Sequence, residues 1–173
     1  MKIKKVALVY PNQRWLKEDI TTTWNLNPST LCILADMIHQ DVEDILIIDA
    51  QFDNLTQDQF RQKIEEFSPD LVGVSILTTE YSSIGNECIE IVKSVNDKAI
   101  IIAGGVHVTL LYEDVMKNEQ VDYAIRGEGE YVFRDLIKYL NNNGELPEVG
   151  LVYRDENNKV ISQAHSLVAD ITK

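Results

Sequence analysis

The chain alternates short, unbroken apolar runs with segments whose apolar residues recur at helical spacing, and no other feature restricts its fold as much. Val6-Ala-Leu-Val-Tyr10, Ile45-Leu-Ile-Ile48, Leu71-Val-Gly-Val-Ser-Ile-Leu77, Ala99-Ile-Ile-Ile-Ala103 and Tyr123-Ala-Ile-Arg126 each read as a strand. Runs that are apolar at nearly every position belong to strands buried on both faces of a parallel sheet. Between them lie predicted helices. The first opens at Asn27-Pro28-Ser29 and carries Leu31, Leu34, Ala35 and Ile38 on one face. Thr56 to Phe67 carries Phe60, Ile64 and Phe67, and a third helix has the stripe Ile84, Cys88, Ile91, Val92 and Val95. A short helix is predicted over about Leu111 to Lys117, and a last one after Gly127-Glu-Gly-Glu130 buries Val132, Phe133, Leu136 and Leu140. Strands joined through helices in this way require right-handed crossovers. The expected fold class is therefore α/β, a five-stranded parallel sheet with helices on both faces.

Beyond Pro147 the rhythm changes. Gly150 to Tyr153 and Lys159 to Ile161 flank Asp155-Glu-Asn-Asn158 and predict a C-terminal β-hairpin. Residues 1–146 then form one domain, and residues 147–173 form a hairpin and a polar tail that reads as a linker to a further domain. The length of 173 residues and the 45% apolar content suit a single core without disulfide or metal staples. The apolar runs fall far short of the ~20 residues of a membrane helix, so no membrane partner is expected and the location is cytoplasmic. Cys32 and Cys88 both lie within helical patterns and read as core residues in a reducing compartment. A net charge of −12 repels phosphate backbones, which argues against nucleic acid.

Ligands of open parallel sheets bind beyond the C-terminal strand ends, where strand order reverses. No Gly-x-x-x-x-Gly-Lys occurs, and the loop after the first strand holds no glycine, so a P-loop and a dinucleotide fingerprint are both excluded. Carboxylate clusters for Mg²⁺ are missing from the first and third strand ends, which argues against a receiver-type phosphoacceptor. What remains is three loops of small residues: Ser75-Ile76-Leu77, Gly104-Gly105 and Gly127-Glu128-Gly129-Glu130. Each admits close backbone approach. His39 suits a helix C-terminus and His165 a polar tail, whereas His107 stands open between binding and a helix-start hydrogen bond. Glu128 and Glu130 read as helix-dipole partners, with acid–base chemistry as the alternative. Trp15 and Trp24, in the long first loop, are assigned to a domain interface, with cover for a cofactor face as the alternative.

Ser-x-Leu after the third strand, Gly-Gly after the fourth, Gly104-Gly-Val-His-Val-Thr109 and Tyr123-Ala-Ile-Arg-Gly-Glu-Gly-Glu130 together resemble the N-terminal cobalamin-binding domain of cobalamin-dependent radical S-adenosylmethionine enzymes. The likeness extends over nearly the whole chain, including Pro69-Asp70 and the hairpin. It implies a Rossmann-like domain of flavodoxin-like strand order that binds cobalamin. It also implies a following radical S-adenosylmethionine barrel as partner. S-adenosylmethionine and a 4Fe–4S cluster would belong to that barrel alone, because Cys32 and Cys88 cannot form the Cys-x-x-x-Cys-x-x-Cys run such a cluster needs. The chain by itself is expected to be non-catalytic and to hold no metal of its own. The full enzyme would transfer a methyl group or assist another radical reaction. Carried over from the family, the cofactor-binding residues are Ser75, Leu77, Thr78, Gly104, Gly105, Val106, His107, Gly127, Glu128 and Gly129, with the Ser-x-Leu and Gly-Gly segments lining the groove for the dimethylbenzimidazole tail. The mutase-type Asp-x-His-x-x-Gly is missing, as no histidine occurs between Pro11 and Pro28. The alternatives are a cofactor-free docking domain that retains the fold, and a flavodoxin-like small-molecule module.

Overall fold

The computed structural model describes residues 2–16 and 27–166. Its parallel strands are β1 (Lys5–Tyr10), β2 (Asp44–Asp49), β3 (Leu71–Ser75), β4 (Ile100–Gly104) and β5 (Tyr123–Ile125). Val, Ile and Leu dominate them, as suits strands covered on both sides. The hairpin expected after Pro147 is present as β6 (Leu151–Arg154) and β7 (Val160–Ser162), and it continues the sheet. β6 pairs antiparallel with β5, giving the order β2-β1-β3-β4-β5-β6-β7. Leu151 and Val152 point to opposite faces and are both buried, so β6 is part of the core on each side.

Helices α1 (Ser29–Ile38) and α5 (Glu130–Leu140) cover one face, and α2 (Gln57–Phe67), α3 (Ser82–Val95) and α4 (Val106–Val115) cover the other. Thr56 starts α2 through a capping box, accepting from the Gln59 amide while the Gln59 side chain accepts from its own. The sheet residues divide by alternation. Val6, Leu8, Leu71 and Ile102 face α1 and α5, whereas Ala7, Val9, Val72, Val74 and Ile101 face α2 to α4.

Two local expectations are corrected. α4 begins directly after β4, ahead of the stretch Leu111 to Lys117 in which a helix was expected, and Leu111 is the site of a kink with φ −128°. Its β-branched start, Val106, Val108 and Thr109, has low helix propensity and hid the helix from a pattern reading. Cys32 is exposed, because only Leu31 and Ile38 of α1 reach full burial; Cys88 is buried, which pushes its thiol pKa up. Trp15 is half-buried within the domain, where its indole donates to the Leu55 carbonyl at 2.8 Å and its ring meets Phe60 of α2. Trp24 lies outside the described residues. Among the described residues no helix is long and apolar enough to cross a membrane.

The Pro69-Asp70 dipeptide has a structural task at the N-terminal edge of the sheet. Asp70 Oδ2 accepts from the amides of Lys4 and Lys5 at 2.8 and 2.9 Å, and its backbone joins β1 to β4 through Asp70 N to the Lys5 carbonyl and Ile100 N to the Asp70 carbonyl. Charge-assisted bonds of this kind aim the start of β1. Replacing Asp70 by Ala should lower the unfolding free energy by about 1–3 kcal/mol in a urea titration, with little change in the slope.

Candidate functional site

β1 lies inside the parallel sheet next to the edge strand β2, and the chain moves first outward to β2 and then back across to β3. The switch point therefore falls between β1 and β3, where crossovers diverge to opposite faces and leave a crevice at the strand tips. A groove of about 410 Å³ opens there, running between the sheet, α1 and α5. That volume lies in the ~300–1,000 Å³ range of ligand clefts. Its floor is apolar: Leu8, Gly73, Ile102, Ile125, Leu34 and Phe133. Its rim carries the polar groups Ser75, Thr30, Thr109, Glu128 and Glu130.

The cofactor-binding residues expected from sequence converge on this groove with two exceptions. Ser75, Leu77, Gly104, Gly105, Val106, Gly127, Glu128 and Gly129 all line it. Thr78 and His107 do not. The His107 ring turns inward, is buried, and has Nδ1 3.1 Å from Thr79 Oγ1, tying the first turn of α4 to the short 3-10 turn Thr79–Tyr81. Thr78 Oγ1 is buried without a partner. His39 is exposed at the C-terminus of α1, where Nδ1 meets the Asp36 carbonyl at 2.5 Å, and His165 is exposed.

The two glycines at the tip of β4 differ in what they do. Gly105 has φ +107°, and a Cβ there would stand 2.5 Å from the Ile76 carbonyl oxygen. It makes the abrupt strand-to-helix turn and lets β4 lie against Ile76. A Cβ on Gly104 would meet no heavy atom within 4 Å, so that position presents bare backbone to the groove. Gly73, in the middle of β3, lowers the floor in the same way; a Cβ there would touch Leu8 at 3.0 Å and Phe133 at 3.6 Å. Gly127, with φ +84°, approaches the Ser166 backbone so closely that a Cβ would lie 2.1 Å from its carbonyl oxygen. The segment around Ser166 thus buttresses this loop: Ser166 N donates to the Arg126 carbonyl and Glu128 N to the Ser166 carbonyl.

Sequence reasoning missed Thr109, which joins two of the loops. Its hydroxyl donates to the Gly105 carbonyl at 3.1 Å and accepts from the Gly127 amide at 3.0 Å, and its carbonyl accepts from Arg126 Nε. It also missed the floor, although an isolated glycine inside the apolar run of β3 was a usable signal for close approach. Glu130 stands in the first turn of α5, and its Oε2 is buried without a hydrogen-bond partner beside the groove.

An apolar trough with backbone laid bare at Gly73 and Gly104 suits a flat, bulky group. The B12 binding domain model matches residues 22–137. The chain belongs to the B12-binding domain family. A protein from Pyrococcus horikoshii named as an uncharacterized methyltransferase is 34% identical over 163 residues, 92% of this chain and 34% of that protein. An anaerobic magnesium-protoporphyrin IX monomethyl ester cyclase from Rubrivivax gelatinosus is 27% identical over 91% of this chain and 29% of its own length. The chain thus spans about a third of the curated relatives it matches. The radical S-adenosylmethionine methyltransferase TsrM from Kitasatospora setae, solved with cobalamin and a [4Fe-4S] cluster, has a TM-score of 0.76 at 18% identity, covering 100% of this chain and 31% of that one. The cobalamin-dependent S-adenosylmethionine radical enzyme OxsB, solved with aqua-cobalamin and S-adenosylmethionine, has a TM-score of 0.74 at 24% identity, covering 96% and 23%. Both share the fold of this B12-binding domain.

Two outcomes follow from the geometry. Gly105→Ala should be destabilised by at least about 1–3 kcal/mol in thermal or urea unfolding, because positive φ and the Ile76 carbonyl both oppose a side chain, while Gly104→Val should melt near the wild type. His107 supplies a pH test. Burial holds its pKa below the ordinary imidazole value, against a weaker opposing pull from Asp114. The unfolded chain therefore takes up this proton first, so the stability that depends on neutral His107 is intact above about pH 6.5 and is lost as pH falls toward the lowered folded value. The stability advantage of wild type over His107→Gln should shrink between about pH 7.5 and about pH 5.

Proposed function

We propose that this domain holds cobalamin with the nucleotide tail laid in the groove between the sheet, α1 and α5, and presents the corrin to a radical S-adenosylmethionine barrel that follows in the full-length protein. The observation that carries this reading is the groove itself, apolar along its floor and bare of side chains at Gly73 and Gly104. Cobalamin supplies a cobalt centre able to carry a one-carbon group, and the names of the relatives favour methyl transfer as the reaction of the whole protein. S-adenosylmethionine and an iron–sulfur cluster belong in this reading to the barrel. The setting is a reducing cytoplasm, in keeping with two free cysteines.

The chain's own part is binding and orientation. Leu8, Ile102 and Phe133 exclude water from the tail, which strengthens each polar contact made inside the groove. Ser75, whose hydroxyl makes no hydrogen bond among the described residues, offers a donor or acceptor at the rim. Glu130 offers an unused carboxylate oxygen to a ligand hydroxyl. Thr109 and Gly105 hold the loops in register, and His107 anchors α4 from behind. A cofactor-free docking domain would have filled this trough with side chains; the open volume favours the binding reading.

Visible-absorption titration with hydroxocobalamin tests the proposal on the wild type and on Gly104→Val. Saturable binding by the wild type, lost by at least about tenfold in a Gly104→Val protein of unchanged melting temperature, is the expected result. Unaltered affinity in that variant would remove the β4 tip from the site. With no histidine between Pro11 and Pro28, the bound cob(II)alamin should be base-off and free of axial nitrogen. Nitrogen superhyperfine splitting in its electron paramagnetic resonance spectrum would contradict this.

A further inference from the structure

A second, smaller pocket adjoins the groove at the tips of β1, β2 and β3, and shares Tyr10, Ser75 and Leu77 with it. It holds about 30 Å³, enough for one small polar group, since ~10–15 Å³ of such space already admits a water. Gln13, Asp49 and Gln51 line it. Gln13 and Gln51 are 7% and 6% exposed, and Gln13 Oε1, Gln51 Nε2 and Asp49 Oδ2 are all buried without a hydrogen-bond partner. For Gln51 and Asp49 the second polar atom is engaged, which fixes which atom stays free. Gln51 Oε1 accepts from the Gln13 amide at 2.8 Å, so Gln51 must direct its NH₂ elsewhere, and Asp49 Oδ1 accepts from the Phe52 amide at 2.9 Å. Arg14 and Asn12 clamp the same two loops through the Gln51 and Leu55 carbonyls.

Unpaired groups buried at this depth are costly, and several in one pocket mark the place of a missing partner. One donor and two acceptors are the complement of a primary carboxamide, whose carbonyl accepts once and whose NH₂ donates twice. We infer that Gln13, Asp49 and Gln51 form a recognition pocket for one peripheral carboxamide of the corrin ring, with Gln51 donating to its carbonyl and Gln13 and Asp49 accepting from its NH₂. The inference rests on the cobalamin reading above and adds the polar residues that select an amide over the corresponding acid. A carboxylate in the same place would set its charge against Asp49, with no proton to share between them.

The test is the affinity of the full 173-residue chain for hydroxocobalamin and for its mono-carboxylic acids, each with one peripheral amide hydrolysed. The wild type should bind at least one mono-acid about tenfold or more weakly than the parent, the size expected for loss of a charge-assisted bond. Asp49→Asn should narrow that discrimination several-fold. Gln51→Glu, which retains the acceptor used by the Gln13 amide, should weaken the parent by about tenfold while circular dichroism and melting temperature stay near wild type. Gln51→Leu serves as a second variant if Gln51→Glu does not fold. Equal binding of the parent and every mono-acid by the wild type overturns the pocket and leaves an ordered water only. Discrimination that persists at full size in Asp49→Asn and Gln51→Leu overturns it as well. A wild type that binds no cobalamin at all overturns the cobalamin reading together with this one, and so is distinguishable from a failure of the pocket alone.

Discussion

The grip on Ile76 is the constraint from which the site takes its form. Its amide donates to the Gly104 carbonyl at 2.8 Å and its carbonyl accepts from the His107 amide at 3.2 Å, so one residue joins the end of β3 to both the end of β4 and the start of α4. Its side chain is held from the other side by α3, which approaches so closely at Gly85 that a Cβ there would stand 2.7 Å from Ile76 Cδ1. Only a residue without a side chain fits at Gly105 across from this carbonyl. The strand-to-helix turn is consequently abrupt, and α4 leaves the sheet without covering the strand tips.

Several features of the groove descend from that turn. Because α4 begins at once, Thr109 falls one helical turn later, within reach of both the Gly105 carbonyl and the Gly127 amide. The loops after β4 and β5 are thereby locked to each other, and the Ser166 segment closes on the second from outside. His107 faces inward, and its neutral ring supports the helix from within the core. The glycine loops then form a rigid edge, and rigidity of this kind lowers the ordering cost of holding a large ligand.

A division of labour runs across the sheet. On the α1 and α5 side the strand tips are stripped of bulk, with Gly73, Gly104 and Ser75 in place of branched residues. On the opposite side Val74, Ile76 and Cys88 are buried in the core. Glycine and serine at the stripped positions leave out side-chain atoms, so the groove exists by omission of atoms. The polar pocket of Gln13, Asp49 and Gln51 stands at the boundary between these two regimes, where the β1 loop crosses the tip of β2.

Much of this was legible in the order of residues alone. Apolar runs at every position announce a parallel sheet, and small residues at Ser75, Gly104 and Gly127 announce where its strand tips stay open, because both signals are local and depend on burial and φ at single positions. The parts that were not legible depend on contacts between distant segments. The start of α4 was hidden because its β-branched residues have weak helix propensity, and packing on the sheet overrode it. The inward turn of His107, the bridging role of Thr109 and the exposure of Cys32 depend on which neighbour each side chain meets. The pairing of Gln13 with Gln51, 38 positions apart, arises only when β1 and β2 lie side by side in register. Sequence by itself determined the layers of the fold and the edge at which its groove opens; tertiary structure decided the chemistry of that edge, since hydrogen-bond complementarity is a property of groups brought together in space.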